Sequence, residues 1–226
     1  MKEVITTYRK EVLDHGYVHL VDYMGSDSSI VRAARVSYAE GLKSPTEDEK
    51  LIHYLWKNKH TSPFEAVEFV FEVHAPIFVL RQWHRHRTWS YNEVSGRYRE
   101  LKREFYIPSV EHIGTQSKDN KQGREFGILP SREEEVNAFA EMCDLAFDHY
   151  EAMLSSGWPR ELARMILPAN IYTTMIAKVD LRNLLHFLTL RTDPHAQFEI
   201  RQYAEAMREI ARVITPIAIT AWESYK

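Results

Sequence analysis

The run Val67-Glu68-Phe69-Val70-Phe71-Glu72-Val73-His74 alternates with a period of two and is stopped by Ala75-Pro76. That pattern predicts a half-buried strand, which needs a sheet on either edge and a core beneath it. Pro76, with its fixed φ, suits the first residue of a helix running towards Trp83, which spaces Arg81 and Arg85 one turn apart on one face. The chain then enters Arg85-His86-Arg87-Thr88-Trp89-Ser90-Tyr91-Asn92-Glu93-Val94-Ser95-Gly96-Arg97, where arginines, serines and an asparagine crowd beside tryptophan and tyrosine. Its most basic stretch therefore begins where a helix runs into irregular chain.

The charge is local. Arg81, Arg85, Arg87, Arg97, Arg99, Lys102 and Arg103 face only Glu93 and Glu100 within their span, in a chain of formal net charge −3. A global excess would suit a polymer partner, whereas a local one marks a site for a small anion. Arginine forks hold phosphate bidentately, and free Ser and Asn groups complete such a cradle. The competing reading makes Arg85, Arg87, Arg97 and Arg99 solvated charges paired with Glu93 and Glu100. Trp83, Trp89, Tyr91 and Tyr98 can stack on a ring system, although aromatics so spaced also build cores.

Elsewhere, Tyr17-Val18-His19-Leu20-Val21-Asp22-Tyr23 alternates as a strand, and Gly25-Ser26-Asp27 caps a helix through about Arg35. A helix is expected over Thr46–Lys57. Residues 111–130 read as a mobile polar surface excursion. Ser131 opens a capping box, followed by a stripe of Val136, Phe139, Cys143, Ala146, Tyr150 and Met153. Pro159 opens a short helix carrying Arg160 and Arg164, which Pro168 closes. Ile171–Val179 is a β-branched strand, Asp180 caps a helix through Leu190, and Asp193-Pro194 starts another that reaches Thr215-Pro216. With 226 residues, 44% of them hydrophobic, and neither a long linker nor a repeat, the expectation is one α+β domain over 1–226.

The N-terminal MKEVITTYRKEV lacks an apolar signal core, and no uncharged run approaches the roughly 20 residues of a membrane span, so a cytoplasmic protein that engages no membrane is expected. Cys143 is the sole cysteine, which rules out an internal disulfide and a cysteine-rich zinc cage. His53, His60, His74, His84 and His86 invite a metal reading, but the flanking arginines disfavour a divalent ion, so no metal is expected. Ser90 and Ser95 lie outside any Gly-x-Ser-x-Gly context, which leaves a serine nucleophile unsupported.

Arg85-His86-Arg87, with Ser90, Asn92, Ser95 and Arg97 following, resembles the signature of the flavin-dependent thymidylate synthases. The likeness extends through Glu104-Phe105-Tyr106-Ile107-Pro108. It includes His60-Thr61-Ser62-Pro63-Phe64-Glu65, Glu161-Leu162-Ala163-Arg164 with Leu167-Pro168, and Leu190-Arg191-Thr192-Asp193-Pro194-His195-Ala196-Gln197, and covers roughly residues 15–215.

The resemblance implies a mainly antiparallel sheet flanked by long helices, assembled as a homotetramer with shared active sites. It implies reductive methylation of dUMP at C5 to dTMP, with methylenetetrahydrofolate as carbon donor, FAD as redox carrier and NADPH as electron source, releasing tetrahydrofolate. By position, Gln82, Arg85, Glu93, Ser95, Gly96, Arg97 and Arg164 hold dUMP, and Arg191 polarises the uracil ring as the catalytic group. Ser62, Arg85, His86, Arg87, Glu93, Asp180, Arg182 and His186 fall at FAD positions, with His60 and Glu65 near the flavin or folate. Asp180 stands where asparagine is common in the family, and His186 where relatives vary. The cysteine count agrees, since the unrelated cysteine-dependent synthase adds a thiolate to uracil and Cys143 lies on a core stripe. A different class of function for the same residues is a non-catalytic nucleotide or RNA binding module, which the acidic total charge opposes.

Overall fold

A computed structural model describes residues 8–39, 41–119, 121–125, 127 and 132–226. Five strands form one sheet: β1 (Arg9–Val12), β2 (Gly16–Met24), β3 (Glu68–Pro76), β4 (Ser90–Glu93) and β7 (Tyr172–Asp180), in the order β1-β2-β3-β7-β4 with every neighbouring pair antiparallel. The predicted alternation of β3 is real: Phe69, Phe71, Val73 and Ala75 are buried, and Glu68, Val70, Glu72 and His74 are half-buried on the other face. β3 lies between β2 and β7, and its register with β7 runs unbroken from Glu68↔Asp180 to Pro76↔Tyr172. In β2 the register shifts between Leu20 and Asp22, so Val21 bulges out and the end of the strand turns towards solvent.

The helices are α1 (Asp27–Arg35), α2 (Pro45–Lys57), α3 (Ile77–Trp83), α4 (Val110–Ile113), α5 (Arg132–Ser155), α6 (Arg160–Ala163), α7 (Leu181–Arg191), α8 (Phe198–Ile214) and α9 (Pro216–Ser224). The α2 start is a capping box, in which Ser44 Oγ accepts from the Glu47 amide and Glu47 Oε2 accepts from the Ser44 amide. A main core between the sheet and α1, α2, α3, α7, α8 and α9 is filled by Phe69, Phe71, Trp83, Phe187, Tyr203 and Trp222. A smaller cluster of Phe105, Cys143, Phe147, Tyr150, Ala163 and Ile171 lies under α5.

Several sequence expectations need correction. β3 continues through Pro76, which is the N-cap of α3 rather than its first residue; α3 ends at Trp83, so Arg85 sits in the following turn instead of on the helical face of Arg81. Asp193-Pro194 does not start a helix. The Asp193 carboxylate accepts from the His195 amide at 2.8 Å and contacts the His195 ring, closing a local turn, and α8 begins at Phe198 after Gln197. On the α5 stripe Cys143 and Tyr150 are buried together with Phe147, whereas Val136, Ala146 and Met153 are half-buried and Phe139 is exposed. Ser131 lies outside the described residues. The 111–130 excursion lies at the surface as expected, and its described residues include a hairpin, β5 (Thr115–Gln116) with β6 (Arg124–Glu125), that Arg124 ties to the buried Glu199. β1, β4 and α9 were not legible in the sequence pattern, because the two strands are four residues long and Pro216 reads as a stop.

Candidate active site

α7 organises the site. Asp180 ends β7 and caps α7, accepting from the Asn183 amide at 2.9 Å and from Asn183 Nδ2 at 2.6 Å, so its carboxylate has a structural task. Arg182, in the first turn, forms an ion pair with Glu65 of the short 62–66 turn. One turn further, the His186 ring meets His86 edge-on at 6.1 Å. At the end of α7, Arg191 Nε donates to His86 Nε2 at 3.0 Å and Arg191 Nη2 donates to the Gln82 carbonyl at 3.2 Å. Residues 82, 86, 186 and 191 are thus gathered by two helix ends.

The His86 backbone is held from β4: the Tyr91 hydroxyl donates to the His86 carbonyl at 2.8 Å. Burial, then the Arg191 and His186 charges, push the His86 imidazole down to about 4, and burial lowers the Arg191 guanidinium from its usual value. His86 is therefore neutral near pH 7. Its Nε2 accepts from Arg191, which assigns the ring proton to Nδ1. Trp83 and Trp89 are buried and pack with Phe187, so they belong to the core; Tyr98 is 81% exposed.

A second group forms around Gly96. A β-carbon there would lie 3.2 Å from Arg164 Cδ and 3.3 Å from Leu101 Cδ1, so the missing side chain is what lets Arg164 cross this backbone. Ser95 Oγ accepts from the Arg97 amide at 3.3 Å, and Arg97 lies 3.6 Å from Glu161, one helical turn before Arg164. Arg160, not a residue of the basic run, takes Glu100. Arg85 and Arg87 are exposed, as surface charges are, but among the described residues neither pairs with Glu93 or Glu100: Glu93 at the end of β4 is exposed without an ion-pair partner, and Glu100 takes Arg160. Unneutralised guanidiniums beside a neutral imidazole suit an anionic ligand.

His60 and Ser62 line a cavity of about 710 Å³ with Tyr38, Lys50 and Tyr54. Those three lining residues escaped the sequence reading, as did Gln197, which accepts from Gln82 Nε2 and donates to Glu199 Oε2 at 2.8 Å. The remaining histidines have other partners: His74 contacts Thr174 and Glu104, His84 packs on Tyr91, and His53 on Tyr225. Among the described residues no three His, Cys, Asp or Glu side chains converge as a metal site does, and no helix is long and apolar enough to cross a membrane. Cys143 is 2% exposed, with burial raising its thiol pKa, and it contacts Asn170 rather than any basic residue.

Residues 19–217 match the family model described as thymidylate synthase complementing protein. The chain is 53% identical over 214 residues to a flavin-dependent thymidylate synthase of Thermus thermophilus, covering 95% of this chain and 78% of that one. It is 50% identical over 218 residues to one from Treponema denticola, covering 96% and 82%. The crystal structure of a UMP/dUMP methylase, PolB from Streptomyces cacaoi, bound with 5-Br dUMP, superposes with a TM-score of 0.87 at 36% identity, covering 96% of this chain and 98% of that one. The α+β fold and these matches over nearly the whole length agree, and this chain belongs to the flavin-dependent thymidylate synthases.

Proposed function

We propose that this chain makes dTMP from dUMP by reductive methylation at C5, using methylenetetrahydrofolate as carbon donor, FAD as redox carrier and NADPH as electron source, and releasing tetrahydrofolate. The observation that carries the reading is Arg191, held by neutral His86 beside Gln82. A guanidinium so oriented stabilises negative charge as it develops on the uracil at N3 and O4 and C5 becomes nucleophilic. Ser95, Arg97 and Arg164 serve the dUMP phosphate, Gly96 admits Arg164, and Gln82, Arg85 and Glu93 complete the nucleotide site.

The donor set fits a dinucleotide flavin: among the described residues Arg85 and Arg87 have no ion-pair partner, while His86 is neutral and Arg182 and His186 lie on the same helix one turn apart. When bound, FAD supplies the hydride transfer that no side chain of this protein can supply. Ser62, Arg85, His86, Arg87, Glu93, Arg182 and His186 would hold it, with His60 and Glu65 at its folate side. Asp180 contributes by starting α7. Cys143, buried and protonated, gives uracil no thiolate, which supports reduction through a flavin.

The domain spans 1–226, acts in the cytoplasm and assembles as a homotetramer. α5 is 24 residues long and buries only Cys143, Phe147 and Tyr150, leaving Met142 and Leu145 exposed, as are Leu162 and Met165 on the 160–166 segment that packs against α5. An apolar face of that kind suits other copies of the chain, and shared sites would bring the Gly96–Arg164 group to the Gln82–Arg191 group. A non-catalytic RNA-binding module fits neither the family nor the net charge of −3. The test is an assay of purified protein with dUMP: a yellow flavin spectrum and dUMP-dependent tetrahydrofolate, not dihydrofolate, are expected. Colourless protein that takes up no flavin and binds RNA salt-dependently overturns the reading.

A further inference from the structure

A hydrogen-bond relay runs from a buried carboxylate to Gln82. Glu199, on α8, is 1% exposed and receives donors only: Arg124 Nη2 at 2.7 Å, the Tyr106 hydroxyl at 3.1 Å and Gln197 Nε2 at 2.8 Å. Burial and then the Glu199 charge raise the Tyr106 pKa, so that hydroxyl keeps its proton. Both Glu199 oxygens accept, Oε1 from Arg124 and Tyr106 and Oε2 from Gln197, so Gln197 turns its amide nitrogen towards Glu199. Its Oε1 then faces Gln82 and accepts from Gln82 Nε2. With Nε2 turned to Gln197, Gln82 presents Oε1, an acceptor, on the opposite side of its amide, and its second Nε2 proton stays on the Gln197 side. Beside it, Arg191 has Nε engaged by His86 and one Nη2 proton by the Gln82 carbonyl, which leaves Nη1 as a donor.

We propose that Glu199, acting through Gln197, sets the amide polarity of Gln82 and so makes the base pocket select uracil over cytosine. The inference rests on the reading of Gln82 and Arg191 as dUMP residues. Uracil presents an N3–H donor next to carbonyl acceptors, which match Gln82 Oε1 and the Arg191 donor. Cytosine presents a lone pair at N3 and an amino group in place of O4, so both partners oppose it. An amide free at both ends rotates to suit either base; one fixed by an acceptor-only carboxylate does not. Glu199 and Gln197 touch no reacting atom and are positioning residues.

The test uses the flavin-loaded full chain and measures dUMP and dCMP affinity by calorimetry for wild type, Gln197→Met and Glu199→Gln. Position 197 is exposed, so Gln197→Met cuts the relay while keeping the fold. The dUMP-over-dCMP preference is expected to fall about tenfold in both variants, with dCMP binding tighter and flavin content unchanged in Gln197→Met. General damage would weaken both ligands together. A Gln197→Met preference within twofold of wild type overturns the relay. Gln82→Ala separates the levels: if it too leaves dUMP affinity unchanged, the nucleotide is not at Gln82 and both readings fall; if it weakens dUMP while Gln197→Met changes nothing, the relay alone falls.

Discussion

Arg191 Nε donates to His86 Nε2 across 3.0 Å, joining two residues far apart in the chain through an imidazole that must be neutral to accept. Protonation of His86 removes the lone pair and sets two cations against each other. With a folded pKa near 4, against about 6.5 for a free histidine, the unfolded chain binds this proton first as pH falls. Stability from this group is therefore fully present above about pH 6.5 and is lost between there and pH 4. Thermal melts should decline over that window in wild type and less steeply in His86→Gln, and NMR of the His86 ring should give a midpoint near 4.

Arg191→Ala removes the group that faces charge developing on the base, and Arg97→Ala removes a phosphate partner. Both should lose dTMP formation, Arg191→Ala by about 10²–10³-fold in kcat/KM, while the flavin absorbance per protein remains close to wild type. Near-normal turnover in either variant removes that residue from the site.

Gly96→Ala places a methyl 3.2 Å from Arg164 Cδ and 3.3 Å from Leu101 Cδ1. The Arg164 side chain is exposed and can give way, so the fold should survive, but the arginine moves. Steady-state kinetics should show a KM for dUMP raised roughly threefold to tenfold with the melting temperature little changed.

Cys143→Ala trims one buried sulfur, and Asn170 keeps its bond to the Tyr106 carbonyl at 2.9 Å. A loss of about 1 kcal/mol in denaturant unfolding and unchanged dTMP formation are expected. Abolished chemistry in a folded variant would restore a thiolate mechanism.

Asp27 reaches across from α1 and accepts from the amides of Ile217 and Ala218, both at 3.0 Å, capping the first turn of α9. Asp27→Ala should cost about 1–2 kcal/mol, as cap losses do, and lower the melting temperature by several degrees. Activity at 25 °C should be nearly unaltered, because Trp222 still ties α9 to α7 through its 2.8 Å bond to the Thr189 hydroxyl.

Period-two and cap signals located β3, β7, α1, α2 and α7 because those patterns are local: Phe69 and Phe71 share a face by strand geometry, and Asp180 caps whichever helix follows it. Local chemistry also misled, since Asp193 has the composition of a cap and makes a turn with His195 instead. The basic run and its distant satellites were readable as residue types in order along the chain, and so was the family they resemble. Their pairing was not. That Arg191 meets His86 and that Glu199 reaches Gln82 through Gln197 depend on α7 and α8 packing against α3, where Trp83 meets Phe187 and Tyr203, and that Arg164 crosses Gly96 depends on the 164–166 turn meeting the chain after β4; no spacing in a linear chain encodes the distance between such elements. The sequence by itself determined which charges, donors and acceptors this protein owns; the tertiary structure decided which are neutralised, which are buried and therefore shifted, and which remain free to meet a ligand.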